Sequence, residues 1–125
     1  MPSYSEPARP LEFLLWEEDN LYSREEVTLT ASQGELKPGT VMAKVTATGN
    51  YVPYDDDANA GVPGSGIAAG VLAYGAPNVA ATQKVVIIAR QAIVKTASLV
   101  WEASNDGTEQ TAGLADLAAL GILAR

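Results

Sequence analysis

Between Thr40 and Thr48 the chain alternates strictly. Val41, Ala43, Val45 and Ala47 fall on one side and Met42, Lys44, Thr46 and Thr48 on the other, which predicts a strand with one buried face. Glu26–Thr30 reads as a shorter strand before it, and Gln33–Gly39 between them carries Pro38 and Gly39, the chemistry of a turn. Gly49-Asn50 turns the chain into Tyr51-Val52-Pro53-Tyr54, where Pro53 lacks an N–H and marks an edge or a strand end. After a loop over Asp55–Gly66, Ile67–Tyr74 predicts a strand of small residues, with Gly70 signalling a bulge or a close backbone approach. Lys84–Thr96 is the strongest strand region. Its run Val85-Val86-Ile87-Ile88-Ala89 has no polar break, as in a strand buried on both faces, and Gln91–Val94 and Leu99-Val100-Trp101 extend it. The period then changes. Asp106 fits a helix N-cap with Glu109 three residues on, Leu114, Leu117, Ala118 and Ile122 share a helical stripe, and Gly121 fits a helix end, leaving Ile122–Arg125 as a final strand or tail. The pattern predicts a mainly β domain with one C-terminal helix.

Met1–Asn20 is different. Pro2, Pro7 and Pro10 interrupt regular structure, and then comes the apolar run Leu11-Glu12-Phe13-Leu14-Leu15-Trp16, followed by Glu17-Glu18-Asp19. Its spacing is compatible with a helix and with an extended chain. It reads as an arm, with Leu11, Phe13, Leu14, Leu15 and Trp16 as the residues that would bind a partner and Trp16 as the anchor. The plainer alternative is an edge segment packed on its own core. Trp101, at the end of an apolar strand, is expected to pack in the core.

Composition changes the picture mostly by exclusion. A chain of 125 residues fits one domain, and one this size buries roughly 65% of its unfolded surface without help from cross-links. It has no Cys and no His, which removes disulfides, cysteine nucleophiles, zinc-type sites and imidazole bases. A net charge of −7 opposes contact with nucleic acid and with anionic membranes. No apolar run reaches membrane-spanning length, and Met1–Glu6 lacks the basic-then-apolar order of a signal peptide, so synthesis in the cytoplasm is expected. Asp55, Asp57 and Asn59 match the first, third and fifth positions of a calcium loop, but Ala60 stands where its glycine belongs and Gly66 where its glutamate belongs. Gly64-Ser65-Gly66-Ile67-Ala68-Ala69 satisfies G-x-G-x-x-A but precedes a strand instead of opening a helix, so it is no phosphate cradle. No carboxylate pair is singled out by spacing, and serine has no histidine partner. Neither an enzyme, nor a metal site, nor a cofactor is expected. A different class of function, a β-clip-like module for a small molecule or glycan, would draw on Tyr51, Tyr54 and Tyr74.

The order of several segments resembles the lambda-type bacteriophage head decoration proteins. Thr28–Val41 is similar to the opening of that family's domain, and Tyr51-Val52-Pro53-Tyr54-Asp55, Ala69-Gly70-Val71-Leu72, Leu99-Val100-Trp101 and Leu120-Gly121-Ile122 with Arg125 follow in the family's order. The resemblance spans about Glu26 to Arg125. It implies a compact β-clip-like fold with a helix near the C-terminus. It also implies a homotrimer at local three-fold positions on the outer surface of an expanded phage head, stabilising it against packaged DNA. The partners implied are the chain itself and the major capsid protein, with no catalysis, cofactor, nucleic acid or membrane. Finally it implies an N-terminal arm that orders on the capsid. The chain is divided accordingly into a capsid-binding arm, residues 1–25, and a β-rich decoration domain, residues 26–125.

Overall fold

The computed structural model describes residues 11–55, 64–102 and 107–125. Among these the chain runs through β1 (Leu14–Glu17), a single helical turn α1 (Asn20–Ser23), β2 (Arg24–Leu29), β3 (Val41–Lys44), β4 (Tyr51–Pro53), β5 (Ala68–Leu72), β6 (Gln83–Ile88), β7 (Ala92–Val94), a 3-10 turn (Thr96–Ser98), α2 (Gly107–Ala119) and β8 (Ile122–Ala124). The fold is mainly β with one full helix near the C-terminus, as the pattern predicts. The expected cap Asp106 lies outside the described residues.

Five strands close into a barrel in the order β2-β4-β3-β5-β6. The longest ladder pairs β2 with β6, antiparallel from Arg24↔Ile88 to Leu29↔Gln83. Closure is made at the opposite side by one parallel pair, Leu29↔Tyr51. Pro53 is the last residue of β4 and lies beyond that pair, where its missing N–H interrupts nothing. The remaining strands form a small sheet in the order β1-β7-β8, with β7 antiparallel to β1 and parallel to β8.

Period-two alternation sorts the barrel's side chains into two cores. Val27, Leu29, Met42, Tyr51, Leu72, Val85 and Ile87, at least one from every barrel strand, meet in one cluster, the barrel interior. Val41, Ala43, Ala68, Val71 and Ile88 point the other way and pack with Phe13, Tyr54, Val94, Leu99, Leu117 and Ile122 between barrel, helix and small sheet. This differs from the expectation for Thr40–Thr48. The strand is shorter, and Val41, Met42 and Ala43 are all buried, because β3 has a barrel inside it and a second layer outside it. The Lys84–Thr96 region is two strands. The chain leaves the barrel after Ile88, turns at Gln91 with φ +49°, and enters the small sheet as β7.

Gly70 has the role its position in a strand predicts. β5 slips register against β3 at this point, Met42 pairing with Gly70 and Ala43 with Ala68. A Cβ on Gly70 would stand 2.8 Å from Ile87 Cδ1 and 2.9 Å from the Ile88 carbonyl oxygen. The helix is fixed at three places. The Tyr54 hydroxyl donates to the Glu109 carbonyl at 2.8 Å, the Ala68 N–H donates to Asp116 Oδ2 at 3.0 Å, and Leu117 is buried in the second core. Trp101 packs against that core edge-on to Tyr54, 5.9 Å between ring centres, in the structural role expected of it. The buried stripe of α2 is Gly113 and Leu117, flanked by Leu114 and Leu120; Ala118 faces solvent. Gly121, at φ +81°, ends the helix and leads into β8.

Three outcomes follow from this packing. Phe13→Ala is expected to lower unfolding free energy by about 3–5 kcal/mol in a denaturant titration, since the ring is 1% exposed and its loss leaves a cavity. Gly70→Val should cost about 1–3 kcal/mol from overpacking, because one obstructing atom belongs to the backbone and cannot rotate away. Burial raises the Tyr51 phenol above its ordinary value of 10.0, with the Glu25 carboxylate adding and Arg90 opposing. Above pH ~10 the unfolded chain gives up that proton before the folded one does, so stability is full below this pH and falls as pH rises through the folded value. A pH series of melts should show that decline weakened in Tyr51→Phe.

Candidate functional site

The apolar N-terminal run is built into the body from Leu11 onward. The Leu11 N–H donates to the Ala73 carbonyl at 3.0 Å, and the Lys95 N–H donates to the Phe13 carbonyl at 2.6 Å. Phe13 is in the core, and Leu11 and Leu14 pack against it. Between Leu14↔Val94 and Trp16↔Ile93 the β1–β7 register shifts, so Leu15 is an extra residue pushed out of the ladder. The consequence is that Leu15 and Trp16 are 55% and 48% exposed.

Trp16 pairs laterally with Ile93, and Ile93 with Leu123. Laterally paired residues share a sheet face, while Ala92, Val94 and Ile122 on the same strands are buried in the core behind. The outer face of the small sheet therefore carries an apolar row, Trp16–Ile93–Leu123, bordered by Leu15. Leu123 is 39% exposed and Ile93 partly buried.

The turn after β1 is tied down by polar contacts. The fully buried Ser23 hydroxyl donates to the Gln91 carbonyl at 3.0 Å and accepts from the Glu18 N–H at 3.2 Å. The Ser23 carbonyl accepts from the Ala89 N–H at 2.7 Å. Asp19 caps α1 by accepting from the Leu21 N–H at 2.8 Å. Arg24 grips Glu17 through Nε and Nη2 at 3.0 and 2.8 Å, and this hydrogen bonding raises its guanidinium further against a smaller opposing effect of burial. Arg90 bonds the Tyr22 carbonyl and Glu25 Oε2, and its guanidinium carbon lies 5.6 Å from the centre of the Tyr22 ring.

Of the five residues expected to bind a partner, the structure leaves Leu15 and Trp16 at the surface and commits Leu11, Phe13 and Leu14 to the fold. The packing does not change at the expected division after residue 25; it already includes Leu11–Arg24, because Phe13 and Ser23 are core residues. Residues 1–10 lie outside the described residues. Ile93 and Leu123 join the exposed row but carry no signal in the sequence, since only strand register brings them beside Trp16. Tyr51, Tyr54 and Tyr74 do not converge: the first is in the barrel core, the second in the outer core, and the third is exposed and accepts from Arg24 Nη1 at 3.1 Å. None of them lines the surface groove of about 420 Å³ bordered by Thr30, Gln33, Val52 and Glu102. Of the acidic run, Asp56 and Asp57 lie outside the described residues, and Asp55 donates its N–H to the Ser65 carbonyl at 3.0 Å. Among the described residues no three Asp or Glu side chains gather where a metal could be held, and no helix is long and apolar enough to cross a membrane.

The described residues thus form a closed barrel with an appended sheet whose outer face carries exposed apolar side chains. The chain matches the family Bacteriophage lambda head decoration protein D over residues 3–122, and it belongs to that family. It is therefore a structural, capsid-associated component of a phage virion. No curated protein matches the chain.

Ser23→Ala should lower stability by about 0.5–1.5 kcal/mol, because it removes a buried hydroxyl that bonds both partners, while the Glu18 N–H keeps its second bond of 3.1 Å to the Gln91 carbonyl. Hydrogen exchange at the Glu18 amide should speed up more than at Val85 in the barrel, whereas equal acceleration at both would show that Ser23 does not specifically hold this turn.

Proposed function

We propose that the protein cements an expanded phage head, seating as a homotrimer on the outer surface at local three-fold positions and resisting the pressure of packaged DNA. The observation that carries this reading is the exposed apolar row of the small sheet in a chain whose family decorates phage heads. Large apolar side chains held at a surface mark a contact site. The row contains Leu15 and Trp16, the accessible part of the expected arm, and residues 1–10 lead into it. β1 is an edge strand, so an extended segment of the major capsid protein can continue the sheet while Trp16 and Leu15 fill apolar pockets. A protein that binds the expanded shell and not its precursor stabilises the expanded state by mass action. Three such contacts on one trimer act multivalently, so modest individual contacts give firm seating. The net charge of −7 disfavours nucleic acid as a partner. β-clip kinship, implied by the resemblance, fits a small barrel with short strands.

Cosedimentation of the purified protein with expanded and unexpanded heads tests this directly: binding to expanded heads alone is expected, and equal or absent binding to both refutes it. Removing residues 1–10 should leave the melt unchanged and weaken head occupancy, whereas removing residues 1–20 should unfold the domain by deleting Phe13 and β1. Trp16→Ala should reduce occupancy by at least about tenfold with stability within about 1 kcal/mol of the parent, as expected for a half-exposed interface anchor. Full occupancy in that variant would remove Trp16 from the contact.

A further inference from the structure

The surface holds a second apolar feature that head docking through β1 does not use. Leu21 is 91% exposed on the single turn α1, beside the half-exposed Tyr22. An isolated exposed leucine is ordinary, but this one is held rigidly. Asp19 caps the turn ahead of it, Ser23 behind it is buried in four hydrogen bonds, and Arg90 clasps both the carbonyl and the ring of Tyr22. These contacts hold an apolar knob out into water, the preorganised arrangement of an interface anchor.

Elsewhere on the same chain is an apolar groove of about 370 Å³ formed by Leu36, Pro38, Gly75, Ala76 and Pro77. It is rigid too. Leu36 and Ala76 are bridged by two backbone hydrogen bonds of 2.8 and 2.9 Å, and prolines stand in both of its chain segments. Knob and groove are separate patches, linked across the surface by Arg24, which donates to Tyr74 just before Gly75. Their charges are complementary. Asp19 and Arg90 flank the knob, and Lys37 and Glu35 flank the groove.

We infer that the α1 knob of one copy seats in the Leu36–Pro38/Gly75–Pro77 groove of a second copy, with Asp19 meeting Lys37 and Arg90 meeting Glu35. Because the two patches differ, the contact is heterologous, and such a contact gives a closed ring when its rotation closes, as the homotrimer proposed above requires. Rim charges of this kind add little affinity but fix orientation. The ring size of three rests on the homotrimer proposed above; the knob-and-groove pairing does not.

Complementation tests the pairing. Leu21→Glu destroys the knob and keeps the groove; Pro77→Glu charges the groove and keeps the knob. Both positions are exposed, so both variants should melt like the parent. By sedimentation equilibrium each should be monomeric where the parent is trimeric, with association weakened by at least about 30-fold, the scale of a lost hot spot. Mixed together, they retain one intact knob and one intact groove and should form a 1:1 dimer that cannot grow. That dimer is a result that misfolding cannot imitate. If Leu21→Glu stays trimeric, the pairing is wrong while the homotrimer stands, including when that variant has lost binding to heads, which would assign the knob to the shell. A parent that is monomeric in solution and remains so at high concentration overturns both. Monomeric variants that fail to complement one another overturn the pairing.

Discussion

Strands β3, β5 and β6 must satisfy a core on each face, and the rest of the molecule is arranged to supply the second one. Met42, Leu72, Val85 and Ile87 fill the barrel, leaving Val41, Ala43, Val71 and Ile88 apolar on its outside. A five-stranded barrel with such an exterior cannot stand in water alone. Phe13, Leu117, Ile122 and Val94 cover it, and each comes from a different element of the outer layer or the chain leading into it. The helix, the small sheet and the N-terminal run are there to bury that surface.

This constraint also explains where contact groups are left over. The small sheet has only one face to give to the core, which takes Ala92, Val94 and Ile122. The opposite face must carry whatever alternates with them, and here that is Trp16, Ile93 and Leu123. The bulge at Leu15 exposes one more leucine at the sheet's edge. The buried core contacts and the exposed apolar row thus lie on opposite faces of the same three short strands. The N-terminal run serves both: Phe13 fastens the sheet to the barrel, and three residues later Trp16 faces outward.

Electrostatics has a lesser part, and a different one at each place. The acidic excess of the chain is general, while the turn that carries Leu21 is held by local pairs, Arg24 with Glu17 and Arg90 with Glu25. These pairs are partly exposed and contribute little free energy individually. Their effect is to fix the direction of β1 and α1 relative to β2 and the β6–β7 corner, together with the buried Ser23 hydroxyl.

The sequence by itself determined the β-rich class, the single long helix, the bulge at Gly70 and the helix stop at Gly121. All of these follow from local periodicity or from the steric needs of one residue. It also carried the segment order by which the family is recognised. It could not tell an arm from an edge strand, because Leu11–Trp16 satisfies both patterns and the choice depends on whether a core exists to receive Phe13. That core is assembled from residues as distant as Val41, Leu117 and Ile122. Nor could it place Trp16 beside Ile93 and Leu123, since alternation states which residues share a strand face but not which strands lie side by side. Only tertiary register decided that, and with it which apolar side chains share the outer face of the small sheet.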